Sequence, residues 1–211
     1  MRLQRVQKPF DNPDYIFELK HDGFRAIAYV EDHKCKLVSR NQNHFNFLFL
    51  SIALGKLPVE NAIFDGEVVC LDVNGVSQFN HLISRKHEPV FYAFDLLWLN
   101  DKDLRRFPLL DRKQQLEKLI KKSQCQEMLY AHHIVGNGVG LFEEICARDL
   151  EGIIAKRKRG VYWDDGKDWL KIKNPATTRN RSPWRLKLQA FRAPIHTYSA
   201  TRSRPMLCNK V

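Results

Sequence analysis

The sequence predicts an α+β fold in which antiparallel sheets are flanked by helices. Short apolar runs recur along the chain with turn signals between them. Helical periodicity is confined to two stretches, and strands and helices do not alternate as a doubly wound parallel sheet would require. The 211 residues are 44% hydrophobic and 11% aromatic, enough to bury the core of one large domain.

The runs at 15–19, 25–30 and 36–39 read as strands, with Asp22-Gly23 as a hairpin turn between the first two. Further strands are expected at 62–71, 90–97 and 128–131. A helix is expected over 111–121, with Asp111 as its N-cap and Leu116, Leu119 and Ile120 on one face. A second helix is expected at 139–147. The glycines of "GNGVG" (136–140) before it fit neither a Walker nor a dinucleotide loop and read as a turn. Strands at 152–156 and 169–173 complete the pattern, and no solenoid repeat is present.

Composition excludes several classes. The longest apolar stretch, 90–99, is interrupted by Asp95 and is too short to span a bilayer. The N-terminus lacks the apolar core of a signal peptide. Five cysteines, at 35, 70, 125, 146 and 208, include no CxxC pair, and His132-His133 are not spaced with them as zinc ligands. Reduced thiols in a cytoplasmic protein, without structural zinc or membrane attachment, are expected. Net charge is +11, and residues 174–211 hold eight Lys/Arg and no Asp/Glu, which leaves the rest at +3. This asymmetry suits either a polyanionic partner or a solvated tail. A boundary is expected after residue 175, followed by a basic, weakly ordered tail at 176–211.

The chemistry gathers in a few segments. In "ELKHDGFR" (18–25), Glu18 and Lys20 share one face of a strand, and a turn at Asp22-Gly23 would return Arg25 toward Lys20. Alone, this reads as an ordinary solvated hairpin. "SRN" (39–41) carries Arg40, and "FDGEVV" (64–69) carries Glu67. "FYAFDLLWLN" (91–100) carries Phe94, and "EGIIAKR" (151–157) joins Glu151 to Lys156 through a buried run. "WLKIKN" (169–174) puts Lys171 and Lys173 on one face and Ile172 on the other.

In this order the segments resemble the motifs of the ATP-dependent DNA ligases, within the covalent nucleotidyltransferase superfamily. "KHDGFR" resembles motif I, "SRN" motif Ia, "DGE" motif III, "FYAFDLLW" motif IIIa, "EGIIAK" motif IV and "WLKIK" motif V. The resemblance covers roughly residues 10–175 and is closest to small bacterial and archaeal repair-type ligases. It implies an ATP-grasp-like adenylation domain over 1–175, with Lys20 as the nucleophile that forms lysyl-AMP. Lys171 and Lys173 would aid catalysis. Glu18 would accept from the adenine amino group, and Phe94 would stack on the base. Arg25 and Glu67 would address the ribose, with Arg25 also near the phosphate, Arg40 would meet the nick 5′-phosphate or the nucleotide, and Lys156 would contact phosphate. Glu67 and Glu151 would flank Mg²⁺ or Mn²⁺, and Asp22 would shape the turn.

The same resemblance implies ATP as cofactor and nicked duplex DNA as partner. A monomer is expected, with a further protein supplying DNA binding. Only 38 residues follow Lys173, too few for the OB-fold lobe and motif VI that ordinarily follow, so an adenylation domain alone is expected. An RNA ligase or capping-type nucleotidyltransferase is the alternative, as is a truncated, non-sealing nucleic-acid-binding remnant.

Overall fold

The structure, a computed structural model, describes residues 3–85, 87–162 and 168–177. Its strands form two sheets. The five-stranded sheet has the order β1 (Gln4–Val6), β11 (Trp169–Lys173), β10 (Gly152–Arg157), β2 (Asn12–Leu19), β9 (His133–Gly136). Alternation along these strands decides what each face carries. Tyr15, Phe17, Ile153, Ala155 and Ile172 pack with Ile145 of helix α4 (Gly138–Ala147) into one core. The opposite face carries Glu18, Ile154, Lys156 and Trp169.

The six-stranded sheet runs β4 (Lys34–Ser39), β3 (Phe24–Glu31), β5 (Asn61–Val69), β6 (Val90–Leu99), β7 (Lys102–Asp103), with β8 (Met128–Tyr130) on β6. Its core side holds Ala26, Ala28, Leu37, Phe64, Val68 and Phe91. Leu50 and Leu54 of α1 (Leu48–Gly55), Leu82 of α2 (Phe79–Ser84) and Leu116 of α3 (Leu109–Ser123) complete this second core.

Every strand and helix expected from the sequence is present, and β1, β7, β9, α1 and α2 add to them. The sheets are mixed rather than purely antiparallel, because β1 runs parallel to β11 and β8 parallel to β6. Asp22-Gly23 is not a hairpin turn: β2 and β3 lie in different sheets, and the dipeptide carries the chain between them. Gly23 is needed there for close approach, since a Cβ would lie 2.2 Å from the Val68 carbonyl oxygen. Asp111 is not an N-cap. Helix α3 begins a turn earlier, with Pro108 at the N-cap, and buries Leu109; Asp111 falls in its first turn, where a negative charge suits the helix dipole. Asn137 caps α4 by accepting from the Gly140 amide at 3.0 Å, so the glycine-rich stretch is the expected turn before a helix.

Ala176 and Thr177 still belong to the folded body: Thr177 is buried and its hydroxyl donates to the Asp149 carbonyl at 3.3 Å. The rest of the expected tail, 178–211, lies outside the described residues. Cys35, Cys70, Cys125 and Cys146 are free thiols, and among the described residues no helix is long and apolar enough to cross a membrane.

One buried ion pair ties α3 to the sheet. Arg112, fully buried, donates to both oxygens of the fully buried Asp95 at 2.7 and 2.8 Å, and to the carbonyls of Phe107 and Gly160. Removing one partner leaves the other charge uncompensated in the core. Arg112→Met is therefore expected to cost about 3–5 kcal/mol in urea unfolding. Replacing Asp95 by Leu in the same chain should recover much of that loss; a single variant as stable as the parent would show that Asp95 is satisfied without Arg112.

Candidate active site

The faces of the two sheets meet at a cleft. The five-stranded sheet contributes Glu18, Ile154, Lys156 and Trp169, and the six-stranded sheet contributes Arg25, Glu67 and Phe94. Lys20 and His21 lie on the crossing between the sheets. Apolar and aromatic side chains line the cleft together with a few charged groups, the mixture that small-molecule sites use.

Lys20 is held at the end of β2 by its backbone. Its amide donates to the Gly152 carbonyl at 2.9 Å, which joins the first motif segment to "EGIIAK". Gly152 has φ +143°, and a Cβ there would lie 2.2 Å from the Ile172 carbonyl oxygen, so only glycine fits between β10 and β11. The preceding residue, Glu151, is buried and accepts from Lys20 Nζ at 2.7 Å. Lys173 Nζ lies 3.7 Å from its other oxygen. Lys171 shares a face with Lys173. Burial first, then the charges of Lys173, Lys20, Arg40 and Arg5, lower its pKa.

The aromatic wall is built from two sheets. Phe94 and Trp169 meet edge to face with centroids 5.6 Å apart. Lys156 Nζ lies 4.3 and 3.9 Å from those centroids, and the Arg25 guanidinium 5.6 and 5.5 Å. Lys156 also lies 2.6 Å from Glu18 Oε2, an ion pair whose angles are poor for a hydrogen bond. Burial first, offset in part by Glu18, brings Lys156 down to about 8.

Arg25 and Glu67 are cross-strand neighbours, and Arg25 forms an ion pair with Asp65. Asp65 is fully buried, receives both Nε and NH2 of Arg25, and accepts from the Tyr162 hydroxyl at 2.8 Å. Burial opposes the charge on Arg25, yet Asp65 outweighs it and raises the Arg25 pKa. Glu67 reaches the cleft surface, but its carboxyl sits among poorly hydrated walls. Burial pushes it up to about 7 against the pull of Lys20 and Arg25, with Glu151 and Asp65 adding to the rise. His21 stacks on Tyr92 at 3.9 Å, and burial takes it down to about 4, so it adds no charge beside Lys20 at neutral pH.

The fold thus gathers Glu18, Lys20, Arg25, Glu67, Phe94 and Lys156 into the wall of one cleft, with Glu151, Lys173 and Lys171 beside Lys20. Arg40 is exposed beyond β4 and forms no part of that wall; it bears on the site through its charge on Lys171. The Asp22 amide donates to the Ser77 hydroxyl at 3.2 Å, which fixes the crossing. Sequence reasoning missed Lys113, Trp169, Asp65 and Tyr162. Lys113 could have been found, because Leu109, Arg112, Lys113 and Leu116 are spaced as one buried helical stripe.

A family profile described as "ATP dependent DNA ligase domain" matches residues 2–173. Curated relatives include the SPbeta prophage-derived DNA ligase-like protein LigB of Bacillus subtilis, 28% identical over 82% of this chain and 66% of that protein. The multifunctional non-homologous end joining protein LigD of Pseudomonas aeruginosa is 29% identical over 76% of this chain and 20% of that protein. Among solved structures, the ligase domain from M. tuberculosis LigD aligns with a TM-score of 0.71 at 26% identity, over 81% of this chain and 58% of that one. A mycobacterial DNA ligase D complexed with ATP and MES gives 0.70 at 25%, over 81% and 60%. The chain spans less than two thirds of the length of each. Its motif segments apart from 39–41 reach one cleft or lie beside its lysine, and the family profile covers almost all of its described residues: the chain belongs to the ATP-dependent DNA ligase domain family.

Proposed function

We propose that this chain is the adenylation domain of an ATP-dependent DNA ligase. It forms lysyl-AMP on Lys20 and passes AMP to the 5′-phosphate of nicked DNA, the activation that precedes phosphodiester sealing in repair and recombination. The observation that carries the reading is Lys20, whose amine lies 2.7 Å from Glu151 in a cleft walled by Phe94, Trp169 and cations.

In the first step the Lys20 amine attacks the α-phosphorus of ATP, a P–N bond forms, and pyrophosphate leaves with the electrons of the P–O bond. Only a neutral amine carries the lone pair for that attack, so an ammonium must first lose a proton. Glu151 is hydrogen-bonded to the Lys20 amine and takes that proton. Lys171, Lys173 and Lys156 offset the charge that builds on the phosphate oxygens. In the second step an oxygen of the DNA 5′-phosphate attacks the same phosphorus and the Lys20 amine departs. Phe94 stacks on the base and Glu18 accepts from its amino group. Arg25 and Glu67 face the ribose, and Arg40, outside the cleft wall, meets the phosphate of the nick.

Magnesium fits the residues present. Among the described residues no three His, Cys, Asp or Glu side chains form a metal cage. Mg²⁺ commonly needs only one or two carboxylates plus substrate phosphates, and Glu67 and Glu151 both bear on Lys20. When bound, the ion neutralises phosphate charge. Burial holds the Glu67 carboxyl up at about 7, and a bound cation would favour its ionised form. The protein would work in the cytoplasm as a monomer, with a partner adding to its hold on nicked duplex DNA.

The central test is incubation with α-labelled ATP and Mg²⁺ followed by a denaturing gel. The parent chain should retain label, and Lys20→Ala should retain none while keeping its circular dichroism spectrum. Label on the Ala variant would assign the nucleophile elsewhere.

Glu67 predicts a pH dependence of stability. Its pKa is raised from 4.5 to about 7 on folding. Between those values the folded state keeps a proton that the unfolded state gives up, so stability falls as pH rises through this window. Glu67→Gln should flatten the fall in melting temperature from pH 5 to pH 8. An identical pH slope in parent and variant would show that Glu67 titrates normally.

Residues 174–211 should supply much of the non-specific attraction to DNA, because they hold eight cations and the remainder of the chain only +3. Affinity for nicked duplex falls with salt by a slope of about −0.9 per phosphate neutralised. Deleting 178–211 should flatten that slope and spare self-adenylation. An unchanged slope would remove the tail from DNA binding.

A further inference from the structure

Glu18 is the carboxylate on which the adenine reading rests, and its surroundings are unusual. It is 3% exposed and holds two lysines: Lys156 at 2.6 Å on one oxygen and Lys113 at 2.5 Å on the other. Burial would raise its pKa, but Lys113 and then Lys156 outweigh that and keep it below the ordinary carboxylate value. Lys156 has other partners in the aromatic wall. Lys113 is fully buried, comes from α3, also donates to the Ala131 carbonyl at 2.9 Å and lies 4.5 Å from the Tyr130 ring centroid. Ala131 itself lines the cleft, and its amide donates to the Ala93 carbonyl, next to Phe94. Lys113 therefore ties the Glu18 carboxylate of one sheet to the cleft-lining backbone of the other.

A carboxylate has about four lone-pair sites. Lys113 takes one by hydrogen bonding to Oε1, Lys156 lies against Oε2 as an ion pair, and the side chain still lines the cleft. Without Lys113 the Oε1 atom loses its anchor, and the carboxylate can turn about its stem toward Lys156. We propose that Lys113 is a positioning residue for nucleobase selection: it fixes the Glu18 carboxylate in the one orientation that accepts a hydrogen bond from the 6-amino group of adenine. This rests on the adenylation reading above, and it assigns to α3, an element outside the motif segments, a part in choosing the nucleotide.

The test compares ATP with purine riboside triphosphate, which differs only in having hydrogen at the 6-position. Each unlabelled nucleotide competes with α-labelled ATP for adduct formation. In the parent chain the analogue should compete more weakly than ATP by roughly tenfold or more, the worth of a hydrogen bond to a charged group. In Lys113→Met the ratio should fall toward one, with KM for ATP raised and the rate at saturating ATP changed by only a few-fold. Glu18→Gln should lose the same selectivity, and the double variant should lose no more than either single one. A structural role alone would lower stability and leave the ratio intact, so an unchanged ratio in Lys113→Met overturns the proposal. Where Lys113→Met does not fold, Lys113→Gln, which retains a donor for the Ala131 carbonyl, carries the same comparison with the same two outcomes. A parent chain that labels with ATP yet does not discriminate against the analogue overturns the positioning role alone. A parent chain that takes no label overturns the adenylation reading as well.

Discussion

The pairing of β10 with β2 on one side and β11 on the other decides which side chains can meet a nucleotide. Ile154 lies opposite Glu18 and Lys171, and Lys156 lies opposite Ile16 and Trp169. With a side-chain period of two, this register gives the cleft Glu18, Lys156, Trp169, Lys171 and Lys173 and gives the core Phe17, Ile153, Ala155 and Ile172. A slip of one residue would bury the lysines against α4 and expose the isoleucines. The apolar half of each strand therefore protects the placement of its polar half. Gly152 belongs to the same constraint, because the strands close over a position where no side chain fits.

What the sequence made legible follows from this. A strand with alternating burial, such as β3, announces both its extent and its faces. Helix α1 does not: Leu50 and Leu54 are buried while Leu48 and Phe49 are exposed, so its apolar residues show no stripe. Strands β1 and β7 are three and two residues long, too short to register as a pattern. The Asp22-Gly23 turn misled for another reason. Glycine serves two purposes, a left-handed turn and a close approach, and composition does not distinguish them. The site was legible residue by residue where motifs name it, but its ion pairs were not. Arg25 could be given to Glu67 or to Asp65 from the strand alone, and the bulges in the β5–β6 pairing decide how their carboxyls sit.

Helix α3 joins the stability of the fold to the chemistry of the cleft. Its buried stripe carries two neighbouring cations with different destinations: Arg112 goes to Asp95 in the core, and Lys113 to Glu18 at the cleft. Charges are costly to bury, and neither pair is an economical way to hold a helix. Apolar residues at both positions would pack α3 against the sheet at less cost. A pair retained where hydrophobic packing would serve points to orientation as its value, since a bidentate guanidinium and an anchored carboxylate each fix a rotation that apolar contacts leave loose.

The charge balance of the cleft supports an anionic ligand on grounds separate from any motif. Among the described residues around it, Glu18 faces two lysines, Glu151 faces two more, and Asp65 faces Arg25. Asp22 lies near Lys20 and Glu151, and Glu67, at about 7, is only partly charged at neutral pH. Positive charge is thus in excess, in a setting where burial already presses Lys156 and Lys171 toward their neutral forms. An anionic ligand answers that excess. Each negative charge it brings relieves the lysines and disfavours the ionised form of Glu67 further, so the cleft holds its anion through the lysines and Arg25 and not through its carboxyls.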